Sequence, residues 1–155
     1  MAGTVCSGQK TAHFSTIPHM HNFEFSLRIY WEDTDAGGIV FYANYLKFFE
    51  RARTEWLRTL GINQQRLKES EGVQLVVSET HVRYLRPARL DDMLSITTAV
   101  KNIGRAYITV EQQAFLQSTH GELLCHGEIR IGCVDATTLA PCRFPSTLAS
   151  VLPSA

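Results

Sequence analysis

Two aspartates stand directly before a pair of glycines and the start of a long helical pattern. Asp33 and Asp35 precede Gly37 and Gly38, and helix signals then run over residues 39–60. An aspartate is ionised at neutral pH, because its ordinary pKa is about 3.9, and it can act as a nucleophile or as a general base. Free backbone N–H groups at a helix start can stabilise an oxyanion. This combination of residues predicts chemistry on a carbonyl carbon.

The predicted helix carries one face that is rich in aromatic residues. Large apolar side chains and an alanine recur at spacings of three and four, namely Tyr45, Phe49, Ala52, Trp56 and Leu60. Asn44 is predicted to cap the helix, although the donor end could begin earlier, around Tyr42. Gly61 is placed to end it, and a short second helix is expected over residues 63–70. The first helix, over residues 44–60, is therefore expected at the centre of the core.

Five segments alternate between apolar and polar residues, which is the pattern of half-buried strands. The first segment runs from residue 23 to 31 and the second from 73 to 85. The other three lie within residues 94–133, with turns predicted at 102–104 and 118–121. One helix followed by a meandering antiparallel sheet predicts an α+β fold in which the sheet wraps around the helix.

The overall composition is that of one domain with no marked charge. The chain has 155 residues, 45% of them hydrophobic, and its formal net charge is +0. This balance gives no reason to expect a nucleic acid or an anionic membrane surface as a partner. No membrane-spanning run and no secretory signal peptide are recognisable, so a cytoplasmic protein is expected. The predicted domain covers residues 22–145, between a flexible tail at 1–21 and a C-terminal tail at 146–155.

The sequence predicts neither a metal ion nor another cofactor. Three histidines cluster in the N-terminal tail without a carboxylate or a cysteine at ligand spacing, namely His13, His19 and His21. The spacing of Asp33 and Asp35 could suit a divalent cation, but no further oxygen-rich element follows. The cysteines form no Cys-x-x-Cys pair, and they are expected to be small buried side chains in a reducing compartment: Cys6, Cys125, Cys133 and Cys142.

Two runs of residues resemble the signature of the hotdog-fold acyl-CoA thioesterases. The first spans residues 30–58 and begins Tyr-Trp-Glu-Asp-Thr-Asp-Ala-Gly-Gly-Ile-Val-Phe-Tyr-Ala-Asn-Tyr, and the second spans residues 82–92. The resemblance covers residues 23–145 and is closest to the Tol-Pal-associated branch of the 4-hydroxybenzoyl-CoA thioesterase-like family. It implies a long central helix wrapped by a five-stranded antiparallel sheet, and hydrolysis of acyl-CoA thioesters without a metal. It also implies a homodimer or homotetramer, formed by edge-to-edge sheet pairing, with active sites between subunits.

The resemblance also implies roles for single residues. The catalytic carboxylate of the family matches Asp35, and the backbone N–H that polarises the substrate carbonyl matches Tyr42. The Tol-Pal-associated branch often has histidine at the position of Tyr42, whereas the aromatic-acyl enzymes have tyrosine, so the preferred acyl group stays open. Four further residues are expected to contact the substrate: Gly38, Val40, Asn44 and Arg86.

Other interpretations of the same residues remain open. An aspartate before glycine is also typical of a turn, which is the preferred role for Asp35 if the resemblance is set aside. Asp33 is expected to make structural hydrogen bonds, and Glu50 to be solvated or ion-paired, although it could orient water. For the whole chain, the alternatives are a non-catalytic module that binds acyl-CoA or a protein, and a hotdog dehydratase or hydratase. The latter depends on a histidine, and no histidine follows the glycine pair in that segment.

Overall fold

The computed structural model of the chain describes residues 23–153. The predictions for the N-terminal tail at 1–21, and with it for four single residues, lie outside the described range: Cys6, His13, His19 and His21. The helices are α1 (Asn44–Thr59), α2 (Gln64–Glu71) and α3 (Ser146–Ala149). The strands are β1 (Phe23–Arg28), β2 (Val73–Tyr84), β3 (Met93–Ile103), β4 (Tyr107–Leu116) and β5 (Leu123–Asp135).

The five strands form one antiparallel sheet in the order β1-β3-β4-β5-β2. The chain therefore crosses from one edge of the sheet, β1, through α1 and α2 to the opposite edge, β2. The remaining strands then fill the centre of the sheet. The predicted α+β arrangement, a long helix with a five-stranded antiparallel sheet, is confirmed within the described residues.

Helix α1 packs its aromatic face on this sheet, as predicted. The buried residues of the helix are Asn44, Tyr45, Phe48, Phe49, Ala52, Trp56 and Leu57. Phe48 and Phe49 are completely inaccessible to solvent. The ring of Phe49 approaches the backbone of β5 at Gly127, where an added Cβ would lie 2.7 Å from a ring carbon. A glycine in β5 thus lets the helix sit close to the sheet.

Two element boundaries differ from the predictions for physical reasons. β1 ends at Arg28 rather than Trp31, because the N–H of Ile29 donates to the Asp92 carbonyl at 2.9 Å and the chain then turns into a 3-10 turn. The side chain of Trp31 is 80% exposed instead of alternating into the core. The first hairpin turn lies at residues 104–106 rather than 102–104, because β3 continues past a bulge at Lys101 and pairs as far as Ile103, opposite Ile108.

The C-terminal segment packs on the core. Leu148 of α3 is only 1% exposed and belongs to the central hydrophobic cluster, and Phe144 and Leu152 pack against that cluster. Residues 146–153 therefore cover the domain, where the sequence predicted a tail. Among the helices of the described part of the chain, none is long and apolar enough to cross a membrane.

The cysteines in the described range are free thiols, and two of them are buried as predicted, Cys125 and Cys133. Burial raises the pKa of the Cys125 thiol to about 12, which is consistent with a small apolar side chain. The Sγ atoms of Cys133 and Cys142 lie 3.6 Å apart and are not bonded.

We predict that Gly127→Ala destabilises the protein by about 1–3 kcal/mol, because the new Cβ would overlap the immobile ring of Phe49. Gly132→Ala, on the same strand, is the matched control, since its Cβ would have no neighbour closer than 3.9 Å. This control should change stability by less than about 1 kcal/mol. Urea denaturation of the two variants measures the difference, and equal stabilities would contradict the close packing of α1 on β5.

Candidate active site

The segment between β1 and α1 folds into a tight hairpin. The N–H of Phe41 donates to the Asp33 carbonyl at 2.9 Å, and the N–H of Asp35 donates to the Ile39 carbonyl at 2.9 Å. A turn closes the tip, where the N–H of Gly38 donates to the Asp35 carbonyl at 3.0 Å. Gly38 has a φ of 76°, in the left-handed region that favours glycine. The glycine therefore allows the sharp reversal that leaves Asp35 at the tip.

The carboxylate of Asp35 is exposed at this tip. One of its oxygens, Oδ1, accepts a hydrogen bond from the Gly37 N–H at 2.8 Å. The other oxygen, Oδ2, accepts no hydrogen bond from any of residues 23–153. Asp35 thus forms the turn that its position before glycine predicts, and one carboxylate oxygen still faces solvent.

Asp33, two residues earlier, is buried and supports the hairpin. Its side chain is 6% exposed, and its Oδ2 accepts a hydrogen bond from the Tyr30 N–H at 2.9 Å. Its backbone carbonyl accepts a second hydrogen bond, from Nδ2 of Asn44, at 2.9 Å. The structure therefore agrees with the hydrogen-bonding role expected for Asp33.

Asn44 does not cap α1, which corrects the prediction from its sequence position. The residue at the N-cap is Ala43, and no side chain caps this end of the helix. The buried amide of Asn44 instead reaches back to the Asp33 carbonyl. The contact fixes the start of the helix against the base of the hairpin.

The first backbone donor after the hairpin is the N–H of Tyr42. The N–H groups of Val40 and Phe41 are occupied, since they donate to the carbonyls of Ala88 and Asp33. Within the described residues, the Tyr42 N–H makes no hydrogen bond. The residue itself is 62% exposed in the single chain. A free backbone N–H is therefore present at Tyr42, where the sequence predicts the donor to the substrate carbonyl.

An apolar groove of about 300 Å³ lies beside this donor. Its walls are Ile39, Val40, Tyr42, Tyr45, Tyr84, Leu85, Arg86 and Pro87. The ring of Tyr84 contacts those of Tyr42 and Tyr45 edge-on, with centroid distances of 6.1 and 5.7 Å. Burial raises the pKa of Tyr45 to about 12, so its hydroxyl stays neutral at physiological pH. The groove therefore offers a largely apolar, aromatic surface, with Arg86 as its one charged wall residue.

The structure brings together part of the predicted substrate-binding set. Val40 and Arg86 line the groove, Gly38 lies in the turn beside Asp35, and Asn44 lies beneath the hairpin. Arg86 is not free, because its Nε lies 3.1 Å from Oε1 of the exposed Glu122.

Tyr84 was not predicted as a site residue. It lies in the second resembling run, but the apolar alternation along β2 gave no sign that its ring would meet the helix start. No group of three or more histidine, cysteine, aspartate or glutamate side chains within residues 23–153 is arranged to hold a metal ion.

The comparison with known proteins identifies the family. The model of the thioesterase-like superfamily matches residues 29–152. The chain belongs to this superfamily. An acyl-CoA thioesterase YbgC from Haemophilus influenzae is 42% identical over 125 residues, which cover 81% of this chain and 90% of that protein. An acyl-CoA thioester hydrolase YbgC from Escherichia coli O6:H1 is 40% identical over 126 residues, covering 81% and 92%.

Solved structures of thioesterase-like proteins share the fold. The crystal structure of a probable thioesterase from Bartonella henselae has a TM-score of 0.75 and 32% sequence identity, and the match covers 81% of this chain and 100% of that one. The resemblance described from the sequence is confirmed at the level of the superfamily and of its hotdog fold.

For this thioesterase-like hairpin we predict that its two aspartates differ in their effect on stability. Asp33→Ala should lower the free energy of unfolding by about 1.5–3 kcal/mol, because it removes a buried charged acceptor from the Tyr30 N–H. Asp35→Ala removes an exposed acceptor and should cost less than about 1.5 kcal/mol. Chemical denaturation of both variants compares them, and a larger loss for Asp35→Ala would contradict the assignment.

Proposed function

We propose that this chain is an acyl-CoA thioesterase, which hydrolyses the thioester bond of an acyl-CoA to a free acid and CoA. The observation that carries the proposal is the hairpin itself. It presents the exposed Asp35 carboxylate and ends at the unoccupied Tyr42 N–H, beside an apolar groove. The printed names of the relatives, acyl-CoA thioesterase and acyl-CoA thioester hydrolase, support the same activity.

In the proposed reaction, the thioester carbonyl oxygen accepts a hydrogen bond from the Tyr42 N–H. This donor stands at the start of α1, where the helix dipole favours the negative charge that develops on that oxygen. One such donor is typically worth about 2.7–4 kcal/mol of transition-state stabilisation. The backbone supplies the hydrogen bond, so the identity of the side chain at this position is free to vary with the acyl group.

Two routes are open to Asp35 in this proposal. As a nucleophile, its carboxylate attacks the carbonyl carbon and expels the CoA thiolate, and water then hydrolyses the resulting anhydride. As a general base, it takes a proton from a water molecule that attacks the same carbon, and collapse of the tetrahedral intermediate breaks the C–S bond and expels the CoA thiolate. Both routes use the carboxylate oxygen that makes no hydrogen bond to the described residues.

The residues around the hairpin are proposed to position the substrate. Gly38 leaves space at the turn, since no atom beyond its two neighbouring residues lies within 4 Å of where its Cβ would be. Val40 forms part of the groove wall, and Asn44 holds the helix start against the hairpin. Arg86 is proposed to exchange its exposed Glu122 partner for a CoA phosphate, because an exposed ion pair contributes only about 0–1 kcal/mol.

A second copy of the chain is proposed to complete the site. β2 is twelve residues long and lies at the edge of the sheet, with the side chains of residues 78–81 exposed. A long unpaired edge strand is a template for pairing with another strand. Pairing of β2 with its copy would join the two sheets and place the exposed groove aromatics, Tyr42 and Tyr84, at a subunit boundary.

The central test is hydrolysis by Asp35→Asn. This variant should lose about 10²–10⁴-fold in kcat/KM on a panel of acyl-CoAs, because the amide can neither attack nor accept a proton efficiently. Release of free CoA thiol from each acyl-CoA measures the rate. Glu32→Gln is the matched control, since it neutralises an exposed neighbouring carboxylate and should retain activity. Equal rates for Asp35→Asn and wild type would overturn the role of Asp35.

The proposed assembly predicts a mass of two or four times 17.4 kDa in light scattering coupled to size exclusion. Activity per chain should fall when the protein is diluted until it dissociates, because the site lies between subunits. A fully active species of 17.4 kDa would contradict a site shared between copies.

A further inference from the structure

Two free thiols meet where the C-terminal segment leaves the sheet. Cys133 lies near the end of β5, and Cys142 lies in the segment that follows this strand. Their Sγ atoms are 3.6 Å apart, which is close enough for one thiol to donate a weak hydrogen bond to the other. Neither cysteine belongs to the hairpin of Asp35 or to the groove beside Tyr42, so the proposed hydrolysis uses neither thiol.

The backbone holds the two cysteines opposite each other. The Cys142 N–H donates to the Cys133 carbonyl at 2.9 Å, and the next pair of residues, Val134 and Pro141, forms an antiparallel bridge. Opposed residues of an antiparallel pair have Cα atoms about 4.5–5.5 Å apart, and their side chains lie on the same face. A disulfide needs a Cα separation of about 4.4–6.8 Å. The two thiols can therefore bond by side-chain rotation, without a change in the backbone.

The loop between the two cysteines is closed by its own hydrogen bonds. The Asp135 carboxylate accepts the N–H groups of Thr137 and Thr138 at 2.9 and 2.7 Å, and the Thr138 hydroxyl at 3.1 Å. These bonds, with that of the Thr138 N–H first among them, lower the pKa of Asp135. The Leu139 N–H also donates to the Asp135 carbonyl, at 2.9 Å. An ordered loop keeps the two thiols close, which raises the effective concentration of each for the other.

The two thiols differ in their access to solvent. Cys133 is completely buried, and this burial, together with the contact from Cys142, raises the pKa of its thiol to about 12. Cys142 is partly exposed. Because a cysteine needs both thiolate character and access to react with an oxidant, Cys142 is the thiol that meets an oxidant first. Cys133 is shielded from the solvent but remains within reach of the oxidised Cys142 sulfur.

From this arrangement we propose that Cys133 and Cys142 form a redox modification site, which closes to an intramolecular disulfide when hydrogen peroxide oxidises Cys142. In the first step the Cys142 sulfur attacks the peroxide, the O–O bond breaks, and the products are a Cys142 sulfenic acid and water. In the second step the Cys133 sulfur attacks the sulfenic sulfur. The S–O bond breaks, and the hydroxyl leaves with the Cys133 proton as a second water. A dithiol reductant reverses the bond by thiol–disulfide exchange.

The disulfide ties the C-terminal segment to β5. Just beyond the second cysteine, the Phe144 N–H donates to the Arg105 carbonyl at 3.0 Å, and Leu148 and Leu152 pack on the core. The three apolar side chains cover a cavity of about 210 Å³ along the C-terminal half of α1, with Arg53 on its helix side. A covalent link at the start of this segment also restricts the unfolded chain. Oxidation therefore stabilises the fold and reduces local opening of the segment.

Peptide mapping tests for the bond directly, because one tryptic peptide, residues 131–143, contains both cysteines. The full chain carrying Cys6→Ser, in which Cys6 cannot compete, is treated with hydrogen peroxide, blocked with iodoacetamide and digested. We expect this peptide to lose the mass of two hydrogen atoms and to take up no alkyl group. Dithiothreitol should restore alkylation of both cysteines. Two free thiols after oxidation, or only sulfinic or sulfonic acid at Cys142, would overturn the proposal.

Thermal unfolding of the same protein measures the effect of the link on stability. Peroxide treatment should raise Tm by about 5 °C or more, and dithiothreitol should reverse the rise. Cys142→Ser should abolish the rise, because one of the two sulfur atoms is then missing. Cys125→Ala is the matched control, since it removes a buried thiol outside the pair and should keep the rise. A rise of the same size in Cys142→Ser would contradict the assignment of the pair.

Amide hydrogen exchange tests the effect on the C-terminal segment itself. Oxidation should slow exchange in residues 144–152 by at least about threefold, because local opening of this segment then has to occur with its start tied to β5. Exchange in α2, which lies outside the closed loop, should stay the same and serves as the internal control. A disulfide that leaves exchange in residues 144–152 unchanged would contradict the tethering of the segment.

Discussion

The carbonyl oxygen of Asp33 accepts two hydrogen bonds, from the Phe41 N–H and from the Asn44 amide, both at 2.9 Å. One bond closes the base of the hairpin and the other anchors the first turn of α1. The carboxylate of the same residue holds the chain that enters from β1. Because strand, hairpin and helix meet at this buried residue, the positions of Asp35 and of the Tyr42 N–H both depend on it. The buried Asp33 therefore positions the exposed Asp35.

Helix α1 serves two regions with different chemistry. Its N-terminal end stands beside the aromatic groove, while its C-terminal half borders the cavity that contains Arg53. Between them, Phe48 and Phe49 are fully buried, and Gln112 of β4 bonds the Phe49 carbonyl. The tight central packing fixes the distance between the two regions, since a packed interior moves little.

Much of the fold follows from local patterns in the sequence. The period of the aromatic stripe placed α1 correctly, and alternation identified all five strands, because each of these elements buries one face. The early end of β1 depends on a partner far along the chain, Asp92 for Ile29, and the position of the first hairpin turn depends on a bulge that apolar alternation does not reveal. The sequence places Leu148 in a tail, because a single helical turn has too few residues to show a helical period of apolar side chains.

The sequence identified candidate site residues but few of the contacts between them. The resemblance selected Asp35 and Tyr42, and the hydrogen bonds of Asp33 agree with its expected role. Asn44 was interpreted as a cap, because its type and position suit one, but its amide has a partner eleven residues earlier. Neither Tyr84 nor the contact of Arg53 with Gln112 could be read from the sequence, since both join residues that only the folded sheet brings together.

The residue pairing of the hairpin limits how this segment can change in evolution. Asp33 pairs with Phe41, Thr34 with Val40 and Asp35 with Ile39, so the turn between them has a fixed number of residues. Insertion or deletion of one residue would shift every later pair and turn the donor at the helix start away from the acid. Substitutions of the hairpin side chains leave this pairing intact, whereas a change in its length does not.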